Sequence, residues 1–165
     1  MKHFIRTFSL LALISTYSLQ AFAEQGSIRL SNTALKQVIT VDEAGETTVD
    51  FVEPATVIPG DVILYTIEFE NIGDQAASNI VIDDPVPNNS IYRDGSARGE
   101  NTRIQYSVDG ERFDSAENLL VEKDGRKVLA SAEDYTAIRW IYTRDLLPGE
   151  KKSVSFKTRI RQPGE

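Results

Sequence analysis

One stretch, residues 59–87, constrains the fold more than any other part of the chain, because it reads as turn, strand, turn and strand. Pro59-Gly60-Asp61 has the residue order of a type II turn, in which Pro presets φ and Gly supplies a positive φ. The residues after it alternate in hydropathy, as in a strand with one buried face. The apolar set predicted to face a core is Ile63, Tyr65, Ile67 and Phe69.

The second half of the stretch is predicted to turn and return. Asn71 and Gly73 are interpreted as turn-shaping residues, Asn71 through left-handed backbone or a local main-chain bond, and Gly73 through positive φ. A strand over residues 76–83 follows, with Ile80 and Ile82 inward. Prolines cannot donate to a sheet ladder, so the segment from Asp83 to Pro87 is expected to end that strand.

The rest of the chain repeats this pattern of short strands and turns. Segments 35–41 and 47–52 read as a hairpin, and 88–99 reads as a loop. Asp109-Gly110 predicts a tight hairpin turn, and so does the segment 123–126. Turn signals every eight to twelve residues, without a convincing amphipathic helix, predict an all-β antiparallel sandwich of about seven to ten strands.

The first 23 residues are predicted to be a secretory signal peptide. Lys2 and Arg6 precede a mostly apolar run, and a small-x-small site ends at Ala23, before Glu24. Residues 24–165 would then form a single exported domain, periplasmic or extracellular. No other apolar run approaches the ~18 residues of a membrane helix, so no integral membrane span is expected.

Composition excludes several classes of function for the mature domain. Loss of Lys2 and Arg6 changes the formal net charge from −7 to −9, which argues against nucleic acid as a partner. The chain has no Cys, and its one His, His3, lies in the predicted signal peptide. Ser-His-Asp triads, Cys-His pairs and sites built on imidazole or thiolate are therefore excluded.

A set of turn and strand residues recurs in a fixed order along the chain. These residues are Pro59, Gly60, Asp61, Tyr65, Ile67, Asn71, Gly73, Ile80, Ile82, Asp84, Pro87, Arg139, Trp140, Leu146, Pro148, Gly149, Glu150, Val154 and Phe156. In this order they resemble the DUF11 family, a conserved repeat domain of bacterial secreted and cell-surface proteins. The match runs over about residues 27–161, although only one copy is present where many relatives have several. The resemblance implies an immunoglobulin-like β-sandwich without established catalytic activity.

Asp83 and Asp84, with Asp94 nearby, form the candidate metal site. Ca²⁺ prefers six to eight oxygen ligands, and carboxylates before a Pro-rich loop could supply some of them. The alternative is that Asp84 ends the strand and Asp83 faces water. No other cofactor is expected.

Three further hypotheses concern surfaces and catalysis. Trp140 could be a sugar-stacking platform, although a single Trp on a sandwich strand is more often core. Two carboxylates could act as a hydrolase pair, but no residue pattern singles out a pair. A basic stripe comprises Lys151, Lys152, Lys157, Arg159 and Arg161, and could dock an acidic partner or be a solvated face.

The function expected from the sequence is therefore a non-catalytic, exported structural or interaction module. It would contact another envelope or surface protein through a sheet face or an edge strand. A module that binds calcium or glycan is the alternative, and a carboxylate-based hydrolase is the third candidate.

Overall fold

The computed structural model describes residues 27–164. The predicted signal peptide and its cleavage site at Ala23 and Glu24 lie outside these residues. Apart from two single turns of 3₁₀ helix, the regular structure between residues 27 and 164 is β. The strands are β1 (Ile28–Val41), β2 (Thr47–Val52), β3 (Val62–Asn71), β4 (Val81–Pro85), β5 (Ser90–Tyr92), β6 (Arg98–Gly99), β7 (Thr102–Ser107), β8 (Leu120–Lys123), β9 (Arg126–Leu129), β10 (Ala137–Tyr142) and β11 (Lys151–Ile160).

Two antiparallel sheets of unequal width pack against each other. The wide sheet has the order β2-β1-β3-β11-β5, and β6 also pairs with β11. The narrow sheet has the order β4-β10-β7, and β8 pairs with β9 as a separate hairpin. The prediction of an all-β antiparallel sandwich is confirmed.

The core lies between the two sheets and follows the alternation predicted from the sequence. In β3 the residues at positions 63, 67 and 69 are buried and Tyr65 is half-buried, whereas the residues between them are half-exposed. Burying each large apolar side chain contributes roughly 1.5–3 kcal/mol. The largest fully buried apolar residues are Phe69, Tyr92, Ile138, Trp140, Leu146, Val154 and Phe156.

Two turns of the same design begin β3 and β11. In each turn the backbone N–H of the fourth residue donates to the carbonyl of the first. Asp61 donates to Ile58 O (3.1 Å), and Glu150 donates to Leu147 O (2.9 Å). The central glycines have φ of +90° and +75°. The acidic side chain in turn accepts the N–H of the first residue, at 2.8 Å for Asp61 and 3.0 Å for Glu150. The predicted type II turn at Pro59 is thus confirmed, and it recurs at Pro148.

Three sequence predictions about loops and strand bounds are corrected. The strand predicted over residues 76–83 starts only at Val81, because Asn79 has left-handed backbone (φ +56°) and leaves only an isolated bridge at Ala77. Ile80 and Ile82 are nevertheless buried as predicted. The predicted loop 88–99 contains the short strands β5 and β6, which pair with β11.

The predicted tight hairpin at Asp109-Gly110 is a wider loop. Tyr106 and Asp114 exchange backbone hydrogen bonds, so seven residues separate the bridged pair. The Asp109 carboxylate holds this loop by accepting the backbone N–H of Glu111 and of Arg112. The turn of β8 and β9 is tight as predicted, with Asp124 and Gly125 at φ of +52° and +70°.

β1 extends past the sandwich. It pairs with β3 only as far as Lys36, and beyond that point its other edge pairs with β2. Residues 37–52 therefore form a two-stranded arm, and every residue from 39 to 50 is exposed. The arm is anchored at its base by Lys36, whose ammonium lies 2.7 Å from the Asp61 carboxylate.

Candidate functional site

Asp83 and Asp84 lie on opposite faces of β4. Asp83 pairs in register with Arg139, and two hydrogen bonds of 2.7 Å join the guanidinium to both carboxylate oxygens. Arg139 also lies 3.9 Å above the ring of Phe113. Asp84 pairs in register with the fully buried Ile138, so its side chain is directed toward the core. The two carboxylates do not converge on a common point.

Asp84 is half-buried at the end of β4. Burial disfavours the charged form and raises the pKa of Asp84 to about 6. Burial also raises the pKa of Tyr65, and the negative charge of Asp84 acts in the same direction. The charged form of Asp84 is therefore disfavoured at this position in the fold.

Asp94 is exposed in the turn after β5, and the structure does not bring it together with Asp83 and Asp84 as a ligand group. Within residues 27–164, no three or more Asp, Glu, His or Cys side chains are grouped so as to hold a metal ion. Asp83 is engaged by Arg139, and Asp84 faces the core. The calcium site predicted from these three residues is not assembled in this geometry.

Asn71 has a structural position in the fold. Its side chain is fully buried and donates to Gln75 O (2.7 Å) and to Leu146 O (2.8 Å), while its Oδ1 accepts the N–H of Gly73 (3.0 Å). The predicted local main-chain bond is thus present. The positive φ predicted for Gly73 is wrong. Instead, a Cβ at Gly73 would lie 3.3 Å from Asn71 Oδ1. Glycine therefore fits this position because a side chain here would crowd Asn71.

Trp140 lies in the core, with no exposed surface, and its ring centroid is 5.9 Å from that of Phe156. A side chain in that position cannot stack on a sugar from solvent.

Of the other motif residues, Pro87 is half-buried, and its carbonyl accepts the N–H of Ser90 in the turn before β5.

A groove of about 680 Å³ beside the β8–β9 hairpin contains several carboxylates, among them Asp109 and Asp114. Backbone N–H groups of Arg112 and Glu111 lower the pKa of Asp109. The Asn118 amide and the Ser115 N–H lower that of Asp114. Both groups stay ionised at neutral pH, whereas a general acid for glycoside hydrolysis needs a raised pKa.

The arm has an apolar face that the sequence analysis did not single out. The register places Ile39 opposite Val49, and Gln37 opposite Phe51, on the side that continues the outer face of the wide sheet. Ile39 is 59% exposed and Val49 48%. Leu35 and Leu64 pair in register on the same face, and both are half-buried. We call the row Leu64, Leu35, Phe51, Ile39 and Val49 the apolar stripe.

At one end of the apolar stripe lies a cationic groove of about 350 Å³. Arg93 lines it from the turn after β5, Arg98 from β6 and Lys157 from β11. The Arg98 guanidinium donates to the carbonyls of Gly95 and Ala97, and the Lys157 ammonium lies 4.9 Å from the Phe51 ring centroid. Within residues 27–164, none of these three cations forms an ion pair. Among the described residues that line the groove, Asp94 is the only carboxylate.

The basic stripe predicted on β11 is divided by its ion pairs. Lys151 lies 3.0 Å from Glu68, and Lys152 lies 3.3 Å from Glu150. These contacts neutralise the start of the strand. The positive charge at Lys157 therefore belongs to the cationic groove rather than to a continuous stripe.

Comparisons with family models, with curated proteins and with solved structures find no match to this chain. In the part of the chain from 27 to 164, no helix is long and apolar enough to cross a membrane.

Proposed function

We propose that this chain is a non-catalytic contact module that is exported to the bacterial cell envelope or beyond and binds a protein there. The observation that carries the proposal is the arm. It projects past the sandwich and presents exposed Ile39, Val41 and Val49 on one face. A contiguous exposed apolar face, on a projection that the core does not need to cover, is typical of a protein-binding surface.

The free edge of β2 supports the same proposal. Among residues 27–164, β2 pairs with β1 on one side only, and its sequence, TTVDFV, has no Pro, Lys or Arg. Natural edge strands are usually blocked by Pro, by charged residues, by bulges or by a covering segment. With Asp50 as its single charged residue, this edge suits the addition of a partner strand, whose main-chain groups would bond to those of β2.

Export rests on the N-terminal pattern, with its charged start, apolar run and Ala21-Phe22-Ala23 site. The family assignment to DUF11 rests on the ordered motifs. Both are parts of the proposal. Mass spectrometry of the protein recovered from the periplasm or the medium tests export directly. We expect a mature form that begins at Glu24. Recovery of the protein from the cytoplasm alone, with residues 1–23 still attached, would contradict export.

The contact surface is tested by placing a photo-crosslinking residue at Ile39 or Val49 in the producing bacterium. The matched control position is Val128, which is also exposed on a β-hairpin. We expect one discrete adduct from the two arm positions and not from position 128. The absence of any adduct, or identical adducts from all three positions, would contradict a specific contact at the arm.

A further inference from the structure

Three features follow one another along the outer face of the wide sheet. The cationic groove lies at one end, and the apolar stripe runs from Leu64 through Leu35 to the arm. At the far end is the turn of the arm, residues 42–46, with the sequence DEAGE. This turn carries three carboxylates in five residues, and we call it the acidic tip. The order of features is therefore positive, apolar, negative.

The acidic tip cannot reach the cationic groove of its own chain. Lys157 is in register with Leu64, and Leu64 with Leu35, whereas Asp42 lies seven residues further along β1. At about 3.3 Å per residue, that is roughly 23 Å along the strand, directed away from the sandwich. Because β1 is a continuous strand that pairs on one edge with β3 and on the other with β2, folding the tip back would require breaking the arm.

A surface with this order is complementary to itself in antiparallel orientation. A two-fold axis through the middle of the apolar stripe would lay one arm over the outer face of a second chain. Each acidic tip would then meet the other chain's cationic groove, while the two apolar stripes would cover each other. Isologous two-fold contacts of this kind are the commonest in homo-oligomers. Charge complementarity at both ends fixes the orientation, and burial of the stripe supplies the attraction.

We therefore propose that the partner of the arm is a second copy of this chain, bound through the outer face of the wide sheet in a two-fold dimer. The cationic groove is the receptor for the acidic tip. This inference rests on the proposed contact function and names its partner.

The tip offers two carboxylates that can be changed with little effect on its fold. The Asp42 carboxylate accepts the N–H groups of Ala44 and Glu46, which shapes the turn, so it is left in place. Glu43 and Glu46 are exposed. In the groove, Arg98 is bonded to the backbone of its own turn, so Arg93 and Lys157 are the residues to change.

The experiment uses two charge-reversed variants of the mature protein and sedimentation velocity over a range of concentrations. The tip variant is Glu43→Lys with Glu46→Lys, and the groove variant is Arg93→Glu with Lys157→Glu. Each variant alone places like charges at both ends of the contact, and we expect dimerisation at least about tenfold weaker than in the unaltered protein. Mixed together, the two variants place opposite charges at both ends, and we expect a heterodimer.

The control variant is Glu111→Lys with Glu117→Lys. It makes the same change in charge as the tip variant, but in the exposed segments between β7 and β8, away from the outer face of the wide sheet. We expect it to dimerise like the unaltered protein, and thermal melting of all variants checks that they fold. Dimerisation of the unaltered protein should also weaken as salt is raised, because screening acts over about 8 Å at physiological ionic strength.

A monomeric unaltered protein at low salt and high concentration would overturn the dimer. Failure of the mixture to form a heterodimer would do the same, as would a control variant that loses dimerisation to the same extent as the tip variant. These results would leave the proposed contact function standing if crosslinking from Ile39 and Val49 captures a different protein. The two proposals therefore fail separately.

Discussion

Asp83 and Asp84 are neighbours in the sequence with opposite environments. The alternation of a strand directs one toward solvent, where Arg139 pairs with it, and the other toward the buried Ile138. A nearby cation stabilises the ionised form of a carboxylate, whereas burial toward a core destabilises the ionised form. Two isosteric amide variants should therefore have effects of opposite sign on stability.

We expect Asp84→Asn to stabilise the protein at pH 7. Because the pKa of Asp84 is raised to about 6 in the folded state, the folded protein binds more protons than the unfolded chain between that value and the unfolded pKa of about 4. Stability is thus lost as pH rises through this range. The variant should gain about 1 kcal/mol at pH 7, discounted for partial exposure, and nothing below about pH 4.

Urea denaturation at several pH values measures this effect, and Asp83→Asn is the matched control. That variant loses a bidentate pair with Arg139 and should be less stable by about 1 kcal/mol at pH 7. If Asp84→Asn is the less stable of the two at pH 7, the core-facing environment assigned to Asp84 is wrong.

Asn71→Ala should be strongly destabilising. The substitution removes two donors and one acceptor in the core, and leaves the carbonyls of Gln75 and Leu146 without those hydrogen bonds. We expect a loss of about 3 kcal/mol in the free energy of unfolding, measured by chemical denaturation. Asn88→Ala, at an exposed position, should change stability by less than about 0.5 kcal/mol. Equal effects of the two substitutions would refute the structural role of Asn71.

At the scale of elements, β3 and β11 are built alike. Each begins with a Pro-Gly-acid turn, and each turn lies beside the far end of the other strand. The N–H of Gly60 bonds to Ile160 O, and the N–H of Gly149 bonds to Asn71 O. The central antiparallel pair of the wide sheet is thus closed at both ends by the same device, which is why the motif recurs in the sequence.

Gly149→Ala tests this device without adding a clash. A Cβ at Gly149 would meet nothing within 4 Å, so the cost is the left-handed backbone alone. We expect the melting transition to shift down by an amount that corresponds to about 1–2 kcal/mol. Ser153→Ala, exposed on β11, serves as the control and should leave the transition unchanged. An unaltered melting temperature in Gly149→Ala would show that φ at this turn does not limit stability.

The strands with clear alternation and Pro-Gly turns were predictable from the sequence, and the irregular elements were not. β3, β11 and the β8–β9 turn follow from local patterns of period two and from turn residues. The left-handed backbone at Asn79 was missed because Asn tolerates that conformation without requiring it. Similarly, β5 and β6 exist only because β11 offers an edge to pair with.

At the scale of the whole molecule, the arm arises because β1 is longer than the strand beside it. β1 has 14 residues and β3 has 10, and β1 pairs with β3 only as far as Lys36. Beyond that residue β1 pairs with β2 and projects into solvent, and two-stranded ribbons of this kind are only marginally stable by themselves. The arm and the sandwich should then differ in local stability.

We expect amide hydrogen exchange to reveal this difference. Amides between residues 39 and 50 should exchange at least about 100-fold faster than those at Phe69, Val154 and Phe156, which lie in buried, doubly paired strands. The measurement is made on dilute protein, at concentrations where sedimentation velocity shows only monomer. Uniform slow exchange would mean that the arm belongs to the cooperative core.

The sequence by itself determined the class of fold and the identity of the core, because alternation, β-branched residues and turn signals act over a few neighbouring residues. It also limited the chemistry, through the absence of His and Cys from residues 24–165. The tertiary structure alone decided which partner each acidic residue meets and which apolar residues remain uncovered. It paired Asp83 with Arg139, set Asp84 opposite Ile138, and placed the cationic groove and the acidic tip at opposite ends of the apolar stripe. These relations depend on the pairing of distant strands, and strand register is a property of the assembled sheet rather than of any local segment.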